Sequence, residues 1–147
     1  METITPALPD VFVINKDINT LNNIAEYITN SLAREYKNKI HFYWNPHALL
    51  RAVPENQKCL VITGRDCSSA FEGSKESPIV KGADLVNCIL IKNKNLQFFL
   101  VSTMPTDDFF RENYCYAKKD ADRGACVKKI LKDYGFKFHP TYSFLKK

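Results

Sequence analysis

The chain has 147 residues, 45% of them hydrophobic, which suffices for one domain with a core of its own. Five cysteines, an odd number without metal-ligand spacing, favour neither a disulfide framework nor a zinc site. No apolar run is long enough for a signal peptide or a membrane span. We therefore expect a single cytoplasmic α/β domain with reduced thiols, no cofactor and no membrane partner.

The formal charge of +5 is concentrated near the C-terminus. Residues 117–147 hold 9 Lys and Arg against 3 Asp and Glu, whereas residues 1–116 are nearly neutral. A basic terminal helix attracts nucleic acid, anionic lipid or an acidic protein surface, although a solvated helix face has the same composition. Because no recognition-helix motif or interleaved aromatic pattern accompanies these charges, the sequence does not predict nucleic-acid binding.

The first elements alternate strand and helix. Residues 1–9 contain two prolines and no periodicity, which predicts a flexible arm. Asp10–Ile14 is apolar and β-branched and predicts the first strand. Apolar residues then recur every three or four positions, which predicts one helix over residues 18–37. A second strand over residues 39–44 ends at Asn45-Pro46, and a short helix follows over residues 47–53.

The centre of the chain is the apolar run Cys59–Thr63, which stops at Gly64. Such a run is typical of a strand buried on both faces. A polar loop over residues 67–78 follows it. The later predicted elements are a helix over 79–90, a strand over 97–101, a helix over 106–113, a strand over 114–117, a helix over 123–134 capped by Asp122, and a tail over 137–147.

Five successive strand–helix units predict a parallel sheet. Right-handed crossovers at this spacing give a five-stranded parallel sheet with helices on both faces, which is a flavodoxin-like α/β fold spanning residues 10–136. The carboxyl ends of the strands then meet at one rim, where ligands of such sheets bind. The residues that follow the strands are polar: Asn15, Lys16 and Asp17; Gly64, Arg65 and Asp66; Ser102 and Thr103; Lys118 and Lys119.

This order of elements and strand ends resembles the receiver domain of two-component response regulators. The stretch ALLRAVPENQKCLVIT, residues 48–63, is similar to that family's second helix and third strand. In the family, an acidic pair after the first strand holds Mg²⁺, an Asp after the third accepts a phosphoryl group, and a Ser or Thr and a Lys follow the fourth and fifth. The resemblance implies the hydroxyl role for Ser102, the Lys role for Lys119 and the aromatic switch position for Tyr116.

The acidic positions depart from that pattern. Asn15 and Lys16 stand where the acidic pair belongs, with Asp17 one place late, and Gly64 stands at the acceptor position, with Asp66 two residues beyond. An ammonium in place of a metal ligand opposes cation binding. We therefore expect a degenerate receiver-like signalling domain that works without phosphorylation and is not an enzyme. The alternative is a receiver whose acceptor has shifted to Asp66.

A second family resemblance implies enzymatic chemistry. The segments PDVFVINKD and CLVITGRDCSSAF are similar to Toll/interleukin-receptor-type domains, some of which cleave NAD with a Glu near the third helix. Glu72 and Glu76 would be the candidates. The tight connection from Trp44 to His47 leaves no room for that family's long loop after the second strand.

A protein-binding face is expected around the predicted fourth helix, fifth strand and fifth helix, residues 106–134. The partner would be another protein or a second copy of the chain, because aromatic residues and Arg are enriched at interface hot spots. The competing interpretation is that the aromatics are core and the basic residues solvated. The aromatic candidates are Phe109, Phe110, Tyr114 and Tyr116, and the basic ones are Lys118, Lys119, Arg123, Lys128, Lys129 and Lys132.

Two weaker signals have structural explanations of equal or greater weight. His41 and His47 are six residues apart and could share a ligand. Cys67 follows Arg65 closely, and a neighbouring guanidinium lowers a thiol pKa. No phosphatase-type Cys-Arg spacing accompanies that thiol, so an idle cysteine is the preferred interpretation.

Overall fold

The computed structural model describes residues 8–67, 79–106 and 108–139. Within them, five strands form one parallel sheet in the order β2-β1-β3-β4-β5, which confirms the predicted fold class. The strands are β1 (Asp10–Ile14), β2 (Ile40–Tyr43), β3 (Cys59–Thr63), β4 (Leu96–Ser102) and β5 (Tyr114–Tyr116). The α-helices in these residues are α1 (Ile18–Ser31), α2 (Pro46–Ala52), α3 (Gly82–Lys92) and α4 (Arg123–Asp133).

The sheet separates two hydrophobic clusters. Val11 and Val13 of β1 lie in the cluster covered by α1 and α4, whereas Phe12 and Ile14 lie in the cluster covered by α2 and α3. This alternation is the period of two expected for a strand. The central strand β3 is buried at every position, as its unbroken apolar sequence predicts.

Helix α1 is shorter than its apolar periodicity predicts. The side chain of Asp17 caps its start by accepting hydrogen bonds from the N–H groups of Asn19 (2.9 Å) and Thr20 (3.3 Å). The helix ends at Ser31, because Leu32 adopts an extended backbone and pairs antiparallel with Phe138. A 3₁₀ helix, Arg34–Lys39, replaces the last predicted turn of this helix, residues 34–37, and takes in Lys39, the predicted start of the second strand. The start of the predicted tail is thus held against the end of α1.

Helix α2 begins one residue earlier than predicted, at Pro46. The Oδ1 atom of Asn45 accepts hydrogen bonds from the N–H groups of His47 (2.8 Å) and Ala48 (3.2 Å). Proline fits the first helical position because its missing N–H has no helical partner there.

Helix α3 begins at Gly82 rather than at residue 79. The preceding backbone pairs back along the segment that leaves β3, with a bridge between Asp66 and Lys81 and a hydrogen bond from Gly82 N–H to the Arg65 carbonyl (2.8 Å). These bonds draw residues 79–81 into an extended path and bring the start of α3 against the end of β3.

The predicted helix over residues 106–113 is wrong. Its described residues contain a 3₁₀ turn, Asp108–Phe110. The Asn113 side chain donates a hydrogen bond to the Phe98 carbonyl (2.8 Å), and the Asn113 carbonyl accepts one from Leu100 N–H (2.8 Å). These bonds lead the chain straight into β5 and leave no length for a helix.

Helix α4 follows a 3₁₀ turn, Asp120–Asp122. Asp122 precedes the helix as predicted, but its side chain makes no capping hydrogen bond, because its backbone already lies in the right-handed helical region. Gly135 ends this segment with a positive φ of 106°, a conformation that favours glycine. In the described part of the chain, no helix combines the length and apolarity that a membrane span requires.

Candidate functional site at the strand ends

A pocket of about 150 Å³ opens at the carboxyl ends of β1, β3 and β4. Parallel strands bring these ends to one rim, so residues far apart in the sequence meet there. The lining residues are Asn15, Lys16, Gly64, Arg65, Asp66, Ser102, Thr103, Met104 and Arg123.

Lys16 and Asp66 form an ion pair across the mouth of this pocket. The Nζ atom of Lys16 lies 3.6 Å from Oδ2 of Asp66, and the two side chains are 60% and 41% exposed. Asp66 is the one carboxylate that lines the pocket in the described part of the chain. Among the described residues, no group of three or more His, Cys, Asp or Glu side chains is arranged to hold a metal ion.

Of the other two residues of the first strand end, Asn15 lines the pocket and Asp17 does not. Asn15 is buried, and its Oδ1 accepts a hydrogen bond from the N–H of Asp17 (2.9 Å). Asp17 itself does not line the pocket, because its carboxylate caps α1. The Asp17 carboxylate, which follows the two positions of the family's acidic pair, is therefore used for helix capping.

Gly64 lies immediately after β3 and leaves the pocket wall without a side chain. A Cβ built on Gly64 would have ordinary contacts, with Asn15 Nδ2 at 3.7 Å and the Asp66 carbonyl oxygen at 3.8 Å. A Cβ atom is thus tolerated at the acceptor position of the resembled family, but this position carries no carboxylate.

The hydroxyl residues after β4 contribute to the pocket as expected from their position. Ser102 is buried, and its Oγ accepts a hydrogen bond from the N–H of Met104 (3.0 Å). Thr103 follows it, and its Oγ1 accepts a weak hydrogen bond from the Arg123 guanidinium (3.5 Å). Both side chains belong to the lining.

Arg123 reaches the pocket from the first turn of α4, although the sequence places it in a surface cluster. Its guanidinium donates hydrogen bonds to Asp120 Oδ1 (3.0 Å) and to the Val101 carbonyl (3.2 Å). The side chain is 15% exposed. Sequence reasoning missed it because the contact spans about 20 residues; the available signal was that α4 must begin at the same rim where β5 ends.

Lys119 and Tyr116, carried over from the family pattern, do not line the pocket. Lys119 is exposed and precedes the 3₁₀ turn that leads to α4. Tyr116 is 57% exposed, and its ring lies beside that of Tyr114, with 6.4 Å between ring centroids. The cation next to the pocket carboxylate is Lys16, from the opposite side of β3.

The aromatic candidates of the predicted binding face divide into core and surface. Phe110 is 2% exposed and packs among α2, α3 and the sheet, so it belongs to the core. Its neighbour Phe109 is 38% exposed and stacks on Phe98, with 5.5 Å between centroids. Tyr114 is half-buried, and its hydroxyl donates a hydrogen bond to the Met104 carbonyl.

The basic candidates divide in the same way. Lys128 lies over the rings of Tyr27 (5.9 Å) and Phe138 (5.3 Å), on the side of the sheet covered by α1. It is therefore separated from the exposed aromatics, which lie on the α3 side. Lys118 and Lys129 are exposed.

The weaker candidates have structural partners or lie outside the described residues. Cys67 is buried, and burial raises its thiol pKa to about 12, which is opposite to the lowered value suggested by Arg65. His41 Nε2 lies 3.4 Å from Asp10 Oδ1. His47 is buried at the start of α2. Glu72 and Glu76 fall outside the described residues.

No protein-family model matches the sequence, and no curated protein matches it. Solved structures share its fold. One is the response regulator RcsB of Salmonella typhimurium, whose structure concerns its conformational dynamism for DNA interaction. It superposes with a TM-score of 0.56 at 14% identity, over 90% of this chain and 63% of that chain. The chain therefore spans less than two thirds of that regulator.

Isolated receiver domains are matched over nearly their full length. The receiver domain of an HD domain-containing protein from Pseudomonas fluorescens has a TM-score of 0.56 at 12% identity, over 87% of this chain and 98% of that chain. The isolated receiver domain of RcsB from Salmonella enterica has a TM-score of 0.54 at 15% identity, over 91% and 94%. The chain has the fold of a response-regulator receiver domain.

Proposed function

We propose that this chain is a receiver-like signalling domain that acts by presenting a protein-binding surface and does not take a phosphoryl group onto an aspartate. The observation that carries the proposal is the Lys16–Asp66 ion pair beside Gly64. It supplies one carboxylate, already paired with an ammonium, where the resembled family gathers several.

Charge explains why this arrangement opposes the phosphorylation cycle. A hard divalent cation prefers clustered carboxylate oxygens, and the cation neutralises the oxygens of an incoming phosphoryl group. An ammonium within 3.6 Å of the one carboxylate in the lining repels such a cation instead. Asp66 thus lacks the partners that would make it an acceptor.

The proposed binding surface is the β5 edge, which we define as the exposed side chains of Met104, Phe109, Tyr116, Lys118 and Lys119. The three apolar or aromatic members are exposed. β5 is the last strand of the sheet, so one of its backbone edges has no strand neighbour in the described residues. Exposed aromatics beside two lysines favour an acidic protein partner, with an association rate that falls as salt rises.

Phosphoryl uptake is tested by intact-mass spectrometry after incubation with acetyl phosphate and Mg²⁺. We expect no adduct of phosphoryl mass. A stoichiometric adduct that disappears in Asp66→Ala would overturn the proposal and support the alternative, a receiver with its acceptor shifted to Asp66.

The β5 edge is tested with a double variant, Phe109→Ala with Tyr116→Ala, in sedimentation and in pull-down against the proteins that the wild type recovers. We expect partner recovery or self-association to be lost. The matched control is Ile18→Ala with Ile91→Ala, which also removes two exposed apolar side chains, from α1 and α3. Equal behaviour of the two double variants would exclude this surface.

A further inference from the structure

The strand-end pocket is positively charged, whereas the corresponding site of the resembled family is acidic. Among the described residues, three cationic ones line it, Lys16, Arg65 and Arg123, against one acidic residue, Asp66. Asp120 pairs with Arg123 but does not line the pocket. A concave site with excess positive charge raises the local concentration of anions.

The cations differ in how firmly they are held. The guanidinium of Arg123 is fixed by the Val101 carbonyl, Thr103 Oγ1 and Asp120, so little freedom is lost when it binds a ligand. Lys16 is more exposed, and its pairing with Asp66 at 3.6 Å is of the weak, solvent-screened kind. An anion can therefore displace Asp66 from Lys16 at small cost.

Hydroxyl groups complete the set of donors. The Oγ atom of Ser102 accepts from Met104 N–H, and a Ser hydroxyl that accepts one hydrogen bond can still donate its hydrogen to an anion. Thr103 adds a second hydroxyl to the lining. Guanidinium, ammonium and hydroxyl donors are the groups that recognise phosphate and sulfate oxygens.

The size of the pocket limits the ligand to a small one. Its volume is about 150 Å³, whereas a single water needs on the order of 10 to 15 Å³ of such space and a drug-sized ligand about 300 Å³ or more. A tetrahedral anion of five heavy atoms fits, and a nucleotide does not.

From these charges, donors and dimensions, we infer that the strand-end pocket reversibly binds a free tetrahedral oxyanion of the size of inorganic phosphate. The anion would bridge Lys16 and Arg123 without forming a covalent bond, and it would need no divalent cation. This inference does not rest on the proposed protein-binding surface.

The test is an NMR titration of the ¹⁵N-labelled chain with inorganic phosphate at constant ionic strength, following the amides of residues 64–66 and 102–104. We expect saturable shifts without Mg²⁺ and no shifts with Mg²⁺ alone. Arg65→Gln should weaken binding by about fivefold, and Asp66→Asn should tighten it by a similar factor, because each changes one unit charge at the site.

The matched control is Lys118→Gln, which removes a cation from the same end of the sheet but outside the pocket, and it should leave the affinity within about twofold. Adenosine monophosphate replaces phosphate in a parallel titration and should bind more weakly.

Four results would each overturn the inference: no saturable shift, a requirement for Mg²⁺, weaker binding in Asp66→Asn, or equal losses of affinity in Arg65→Gln and Lys118→Gln. Intact-mass spectrometry after separate incubation with acetyl phosphate and Mg²⁺ tests the covalent adduct, so failure of either proposal is recognised on its own.

Discussion

A methyl group on Gly82 would collide with the carbonyl oxygen of Gly64. The same Cβ would lie 2.9 Å from Cγ2 of Thr63, which is buried in the core. The absence of a side chain at the start of α3 therefore allows the helix to approach the end of β3.

Gly82→Ala should lower the free energy of unfolding by about 1 to 3 kcal/mol. The clash with backbone outweighs the gain of roughly 0.5 to 1 kcal/mol that alanine brings to a helix. Urea denaturation measures the difference. Gly64→Ala is the control, because its Cβ would meet atoms no closer than 3.7 Å. Equal stability of the two variants would contradict the packing described here.

Introducing carboxylates should create a cation site. In the double variant Lys16→Asp, Gly64→Asp, two new carboxylates join Asp66 at the rim, and we expect Mg²⁺ to bind more tightly than to the wild type. The neutral pair Lys16→Asn, Gly64→Asn controls for the loss of the ammonium and for the added side chain. Mg²⁺ titration by calorimetry compares them, and similar heats from both variants would show that clustered charge is not the determinant.

Phe109 and Phe110 should respond differently to truncation although they are adjacent. Phe110→Ala empties a fully buried site and should cost about 3 to 5 kcal/mol of unfolding free energy. Phe109→Ala removes a ring that is already 38% exposed and should cost about 1 kcal/mol. Chemical denaturation of both variants measures the two losses of unfolding free energy. A loss at Phe109 as large as that at Phe110 would mean that Phe109 is structural and poorly suited to the β5 edge.

Buried thiols should make the fold sensitive to alkali. Burial raises the pKa of Cys67 to about 12, whereas a cysteine thiol in the unfolded chain has a pKa of about 8.5. Above that lower value the unfolded chain loses its proton first, so the thiol's contribution to stability is complete below about pH 8.5 and is lost as the pH rises toward 12.

The free energy of unfolding should fall between pH 7 and pH 10, and this fall should be about 1 to 2 kcal/mol smaller in Cys67→Ala than in the wild type. Urea midpoints at the two pH values give this difference. Between pH 6 and pH 7 the stabilities of the variant and the wild type should change in parallel, since the Cys67 thiol is protonated in both the folded and the unfolded chain there. If the variant and the wild type lose the same stability between pH 7 and pH 10, Cys67 lies in a solvated environment.

The strands and the sheet were predictable because their signals are local. Cys59–Thr63 is apolar up to its last residue, Thr63, and the structure buries every position. The end of α1 was not predictable in this way, since Leu32 continues the helical spacing and leaves the helix only because Phe138, about a hundred residues later, pairs with it.

The site shows the same division between local and distant causes. The rim position of Lys16, Asp66 and Ser102 follows from strand order alone. Arg123 joins them through contacts with Val101 and Thr103, and Asp17 leaves them because the start of α1 uses its carboxylate. The capping role of Asp17 has a local signal, an Asp directly before the predicted helix, whereas the contacts of Arg123 leave no mark in the sequence beside it.

Trp44 donates a hydrogen bond from its indole Nε1 to the backbone carbonyl of Lys16 (2.8 Å), and it is the only tryptophan in the chain. The indole thus bridges the exits of β2 and β1, one residue away from the pocket wall at Asn15. Its emission reports the position of the Lys16 backbone without competition from any other tryptophan. The chain therefore carries its own optical probe beside the strand-end rim, and we expect a ligand that shifts Lys16 to change the tryptophan emission of an unlabelled sample.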